Sequence, residues 1–250
     1  MVKVVDLVPV PVFGGVDEAL KDRELIAKEV KELTNGSVEL EVVTIERGAE
    51  TIESIYDEYV NAPYILQKVV EAESRGADAV IIDCFGDPAL DAARELVEVP
   101  VVGANQASTY LAAQLAGLFS VINILPGTEL QVINLIRKYG LVNHLVSIET
   151  INYGVNEVVK GGEGVVKAIK EAVSKAVTKG AKAVVLGCTG MSGLYRRLVS
   201  ELGSEVLIIE PFRAALSQAI SYALLGIRHS KSAYPRPRSK VRVVDFKLPL

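Results

Sequence analysis

The sequence predicts an α/β protein of two pseudo-symmetric lobes, each a four-stranded, mainly parallel sheet flanked by helices, with an active site in the cleft between them. Two observations carry this expectation. Short Val/Ile-rich runs alternate with longer amphipathic stretches, the pattern of a parallel sheet covered by helices. The chain also repeats itself: Gly76 to Leu90 reads GADAVIIDCFGDPAL and Gly180 to Leu194 reads GAKAVVLGCTGMSGL, both of the form Gly-Ala-x-Ala-Val, two aliphatics, x-Cys-x-Gly. Each copy follows a helix-like stretch, Ala62 to Arg75 in one and Lys167 to Lys179 in the other, so duplication explains the match better than chance.

Taken in order, the strands of the first half are Val2 to Val8, Val38 to Ile45, Ala79 to Ile82 and Val99 to Val102. Those of the second half are Phe119 to Leu125, Leu145 to Thr150, Ala183 to Leu186 and Val206 to Ile209. Between the first two, Ala19, Ile26, Val30 and Leu33 share one face of a helix that Asn35-Gly36 closes, with the charges on the other face. VPVV leading into GANQASTYLA and EVLII leading into EPFRAALSQA form a second, looser echo. The tail from Arg228 carries Pro235, Pro237 and a strand-like run from Val241 to Phe246, and docks on a lobe or on another subunit.

A chain of 250 residues, 50% of them hydrophobic, buries a substantial core. A net charge of -4 with scattered lysines lacks the clustered basic surface that nucleic acid requires, so the expected partner is a small-molecule substrate. No run approaches the roughly eighteen apolar residues of a membrane span, and a soluble cytoplasmic protein is expected. Two cysteines make no disulfide framework, and the two histidines lie far from metal-ligand spacing, so no metal is expected. A single Cys84–Cys188 disulfide is the competing use of the pair. His144, before a candidate strand, and His229, in the polar tail, read as surface residues.

Ligands of open parallel sheets bind beyond the carboxyl ends of the strands, where both cysteines fall. Two symmetric lobes facing one another would bring Cys84 and Cys188 to one cleft from opposite sides. Inverting a stereocentre needs one group to remove a proton from one face and another to deliver a proton to the opposite face. A thiol with an ordinary pKa near about 8.5 serves in either role. Phe85-Gly86 and Thr189-Gly190 supply turns whose N–H groups face an anion, lower the thiol pKa and stabilise the enolate. No dinucleotide, phosphate-loop or Schiff-base signature is present, so no cofactor is expected. A lone cysteine at a strand end is usually a small buried hydrophobe, and the equivalence of these two within a repeat argues for chemistry.

At these residues the sequence resembles the hydantoin racemase family of the aspartate/glutamate racemase superfamily. The resemblance spans TIESIYDE from Thr51, CFGDPALDAAREL from Cys84, PVVG from Pro100, FSV from Phe119, GCTGM and SKSAYP. It implies a two-lobed fold, racemisation of 5-monosubstituted hydantoins by the cysteine pair, and a homo-oligomer. It also implies that the C-terminal segment completes the first lobe, which gives 1–104 with 212–250 as one lobe and 105–211 as the other. Aspartate and glutamate racemases tend to read Cys-Asn-Thr and Cys-Thr-Glu where this chain has Cys84-Phe85-Gly86 and Cys188-Thr189-Gly190.

Carried over by motif, Pro9, Asn105, Gln106, Asn123 and Glu210 join Phe85, Gly86, Thr189 and Gly190 as expected substrate contacts. Several of these depart from the family pattern. Val8-Pro9-Val10 stands for Asn-Pro-Asn, Asn105-Gln106-Ala107 lacks a glutamate, Asn123 replaces a threonine, and Glu210-Pro211 replaces Asp-Gly. Two other functions compete: amino-acid racemisation, for which Arg213 is the candidate carboxylate anchor, and ligand binding without catalysis.

Overall fold

The computed structural model describes residues 1–12, 17–202 and 206–240. Its first sheet is built from β1 (Val2–Val8), β2 (Val38–Thr44), β3 (Ala79–Ile82) and β4 (Val101–Gly103), in the order β2-β1-β3-β4. The second is built from β5 (Phe119–Asn123), β6 (Leu145–Thr150), β7 (Ala183–Leu186) and β8 (Leu207–Ile209), in the order β6-β5-β7-β8. Every pairing is parallel, and the two sheets share one topology, as the internal repeat requires. The four residues of β3 and of β7 are buried throughout, which is why they read as continuous apolar runs rather than as alternating ones.

The strand ends differ from the sequence expectation where side chains intervene. β4 starts at Val101 rather than Val99, because Glu73 takes the N–H groups of Glu98 and Val99, at 2.6 and 3.1 Å, before Pro100. β5 stops at Asn123 rather than Leu125, where the Asn123 amide donates to the Leu125 carbonyl at 2.8 Å and turns the chain.

Helices α1 (Asp17–Leu33), α2 (Ile55–Ser74) and α3 (Leu90–Leu96) belong to the first half. α4 (Ala104–Ala116) follows β4, and α5 (Glu129–Lys138), α6 (Val155–Lys160), α7 (Glu163–Thr178) and α8 (Tyr195–Leu202) belong to the second half. α9 (Pro211–Leu225) follows β8. α2 begins well before the expected Ala62, with Ser54 as its cap accepting the Asp57 N–H and with Pro63 inside it. In α1 the expected face needs correction: Leu33 is 83% exposed, whereas Arg23, in the same stripe as Ala19 and Ile26, is 2% exposed.

The lobes exchange helices. α4, which leaves the first sheet, packs on β5, β7 and β8, while α9, which leaves the second, packs on β1, β3 and β4, and the two helices pack on each other. One apolar core therefore runs from Val4 and Val102 through Ala107, Phe212 and Ala215 to Phe119 and Val185. Separate clusters fill the outer faces under α2 and under α7.

The tail lies against the first lobe. His229 is half-buried rather than superficial: its Nε2 stands 3.0 Å from both the N–H and the carbonyl of Val101 on the β4 edge, and burial lowers its pKa to about 4. Lys231 donates to the carbonyl of Arg94 at 2.9 Å. His144 is also half-buried, with Nδ1 2.7 Å from the Gly117 carbonyl. The run Val241 to Phe246 lies outside the described residues.

Candidate active site

β3 and β7 end in equivalent steps, Asp83-Cys84 and Gly187-Cys188, and both cysteines line one cavity between the lobes. Both thiols are free, so the disulfide alternative is not what the fold builds. Pro9, Phe85, Gly86, Asn123, Thr189 and Gly190 line the same cavity. Its walls are apolar, with Val8, Val10 and Ile52 from the first half and Ile124, Val132, Leu135, Val155 and Val159 from the second.

The cysteine turns use their glycine N–H groups on sulfur. Gly190 N–H donates to Cys188 Sγ at 3.3 Å, and the Gly86 backbone N–H favours the Cys84 thiolate. These donors lower the thiol pKa values, as expected, yet burial outweighs them. Cys188 is pushed up to about 11, and Cys84, with the Glu58 carboxylate adding to burial, is raised well above the ordinary thiol range. A thiolate formed here is scarce at neutral pH and correspondingly basic.

Three expected contacts lie elsewhere. Asn105 and Gln106 sit behind the Cys84 turn at the N-terminus of α4, and their backbone N–H groups donate to the Asp87 carboxylate at 3.0 and 2.9 Å. The Asn105 amide donates to the Phe85 carbonyl at 3.0 Å, and Gln106 accepts from Arg94 at 2.6 Å. The Asn105 amide N–H and the Gln106 side-chain carbonyl thus support the turn, while Asn105 Oδ1 is buried without a hydrogen-bond partner. Glu210 is buried as the cap of α9, accepting the N–H groups of Phe212 and Arg213 at 2.8 Å each, and burial pushes its pKa up to about 7. Arg213 is also outside the cavity lining and lies over the Tyr195 ring, 5.5 Å from its centroid.

Several cavity residues escaped the sequence reading. Arg23 reaches the cavity from α1, donating to Asp83 at 2.8 and 3.2 Å, to Asp22 at 2.6 Å and to the Thr189 carbonyl at 2.9 Å. It stacks on Phe212 at 4.0 Å and stands 3.8 Å from Asp6. Burial opposes its charge, but Asp83, Asp6 and Glu210 together raise its pKa above the ordinary value. Asp6 has neither carboxylate oxygen hydrogen-bonded, and burial together with Asp83 raises its pKa well above the usual range. Glu58 and Gln131 face each other from α2 and α5, the amide donating to the carboxyl, and burial with the Asp87 charge pushes Glu58 up to about 7. The signal for Arg23 was present: its spacing from Ala19 and Ile26 puts it on the buried stripe. Gln131 left none, because its partner is a tertiary neighbour.

Among the described residues, no group of three or more His, Cys, Asp or Glu is placed to hold a metal ion, and no helix is long and apolar enough to cross a membrane.

The family model described as Asp/Glu/Hydantoin racemase matches residues 23–219. The chain belongs to this family. A hydantoin racemase of Paenarthrobacter aurescens is 35% identical over 87% of this chain and 92% of its own length. A second hydantoin racemase, from Pseudomonas sp. strain NS671, is 34% identical over 84% of each chain. Among solved structures, allantoin racemase from Klebsiella pneumoniae superposes with a TM-score of 0.86 at 28% identity, covering 97% of this chain and 96% of its own. The two-lobed fold described above is the one the chain shares with this racemase.

Proposed function

We propose that this protein racemises 5-monosubstituted hydantoins, or a closely related ring, without a cofactor, with Cys84 and Cys188 as alternate base and acid. The reading is carried by one observation: the two thiols reach a single apolar cavity from equivalent strand ends of the two halves of the chain. The hydantoin racemase and allantoin racemase names of its relatives give the substrate class. One thiolate takes the hydrogen on the ring carbon, the electron pair moves onto the adjacent carbonyl oxygen, and the opposite thiol returns a proton to the other face.

The charge in the cavity favours a neutral ring over an amino acid. Among the described residues no unengaged cation lines the cavity for a free carboxylate: Arg23 is committed to Asp83, Asp22 and Thr189, and Arg213 does not line it. Glu53, also in the lining, opposes a second carboxylate there.

The test is incubation with single enantiomers of 5-substituted hydantoins in heavy water, following optical rotation and loss of the ring proton together. Rotation decay with deuterium at the stereocentre supports the two-base reading, and Cys84→Ala and Cys188→Ala each lower the rate by at least about 100-fold. Full racemisation by either single variant overturns the cysteine assignment. Silence with hydantoins but cysteine-dependent exchange with free amino acids transfers the activity to the amino-acid reading, and silence with both leaves a binding protein.

A further inference from the structure

The reaction places negative charge on a ring oxygen, and the cavity must offer that oxygen a hydrogen-bond donor. The Gly190 N–H is spent on the Cys188 sulfur, and the Gly86 N–H is directed at the Cys84 thiol. Most side chains of the lining are committed as well. The Arg23 N–H groups are spent on Asp83, Asp22 and Thr189, and the Asn123 amide on the Leu125 carbonyl and the hydroxyls of Thr128 and Thr150. Thr189 donates its hydroxyl to the Asp83 carbonyl at 3.2 Å. Among the lining side chains, this leaves the Glu58–Gln131 pair, in which the amide holds Oε1 of the carboxyl and leaves Oε2 to carry a proton.

The pair sits beside Cys84. A Cβ on Gly86 would collide with Glu58 Oε1, so the carboxyl lies directly on the backbone of the cysteine turn. We propose that Glu58 is a third catalytic residue: as a neutral carboxylic acid oriented by Gln131, it donates a hydrogen bond to the carbonyl oxygen beside the stereocentre as that oxygen becomes an enolate. The proton stays on Glu58. The electron pair of the broken C–H bond moves to the oxygen and returns to carbon when the opposite thiol delivers its proton. A donor of this kind binds the enolate more strongly than the ground-state carbonyl, which is what accelerates the step.

The surroundings keep the acid neutral. Burial and the Asp87 charge act first, with Gln131 opposing and Asp57 of the same helix adding, and Cys84 faces it from the turn; the carboxyl stays protonated up to about pH 7. Thiolate rises tenfold per pH unit below the cysteine pKa, while the acid form of Glu58 falls tenfold per unit above 7. Their product therefore climbs to about pH 7 and is level above it.

The inference rests on the proposed function, and the experiment separates the two. Ring-proton exchange by wild type, Glu58→Gln and Glu58→Leu is followed from pH 5.5 to 9.5 on a hydantoin that wild type turns over, with thermal unfolding of each variant as a control for folding. Glu58→Leu, which has no donor, loses about 100- to 1,000-fold in kcat. Glu58→Gln keeps an N–H donor, stays within about tenfold of wild type near pH 7, and continues to climb above pH 7 where wild type is level. Three results overturn the proposal: Glu58→Leu losing less than tenfold, Glu58→Gln falling as far as Glu58→Leu, which assigns Glu58 as a base instead, or Glu58→Gln keeping the bend near pH 7. If Glu58→Leu does not fold, the Glu58→Gln profile decides. Wild type exchanging no ring substrate defeats the function and this inference together, whereas active wild type with silent cysteine variants and an unaffected Glu58→Leu defeats this inference alone.

Discussion

At the scale of the residue, one buried guanidinium gathers several acidic partners. Arg23 is buried with Asp83, Asp6 and Glu210 around it, and it spans the halves of the chain by holding the Thr189 carbonyl beside Cys188. Its worth lies less in net attraction than in the charges its removal would strand. Arg23→Leu is expected to lose about 3–5 kcal/mol in urea unfolding, because Asp83 would remain buried without its partner. Arg23→Lys keeps the charge but cannot reproduce the two-point contact with Asp83 while reaching Thr189, so kcat should fall even where stability is largely restored. An Arg23→Leu protein as stable as wild type would refute this account. The residue was legible in part: its place on the apolar stripe of α1 is plain in the sequence, but its partners lie at Asp83 and Thr189, and no local pattern joins them.

At the scale of the element, each cysteine turn is held from behind by a different device. The Cys84 turn passes through left-handed backbone at Asp87 (φ 48°) and Ala89 (φ 59°), conformations costly for most side chains and best tolerated by Asp and Asn. Asp87 also accepts the first N–H groups of α4 and the Tyr139 hydroxyl, the latter at 2.6 Å, so one carboxylate fixes the turn to a helix start and to the end of α5. Asp87→Ala is therefore expected to lose at least about 1 kcal/mol of stability in urea unfolding, and to lower kcat as the Cys84 turn loosens. Unchanged values of both would show that the turn holds itself. The strands and the positions of the cysteines could be read from sequence because fully buried parallel strands are unmistakable runs. The roles of Asn105 and Gln106 could not: a polar pair at a helix start looks the same whether it faces a cavity or supports the turn behind it, and here the Asn105 amide N–H meets Phe85 and the Gln106 side-chain carbonyl meets Arg94.

At the scale of the whole molecule, the internal repeat made two equivalent lobes legible, whereas the boundaries that set α4 with the second lobe and α9 with the first came from the family resemblance alone, since no local pattern says which sheet each helix meets. The exchange of these helices seals a continuous core and leaves acidic groups trapped at the seam. Asp87 is pushed up to about 6 and Glu58 and Glu210 to about 7, each chiefly by burial, and Asp6 is raised as well. A carboxyl whose pKa is raised in the folded state stabilises the fold fully below its unfolded value, near about 4, and loses that contribution as pH rises through the folded value. His229 works in the opposite sense: lowered to about 4 by burial, it stabilises the fold above its unfolded value and loses that as pH falls. Both effects fall between about pH 4 and 7, and the carboxyls outnumber the single imidazole, so folding takes up protons and stability should decline from about pH 5 to pH 8. Urea midpoints measured across that range check the slope. Glu58→Gln, which removes one of the trapped charges, should flatten the decline and make the variant more stable than wild type at pH 8, while His229→Gln should steepen it. A wild-type midpoint that rises from pH 5 to 8 would mean that these carboxyls are ionised at little cost, and the neutral acid at Glu58 would lose its physical basis.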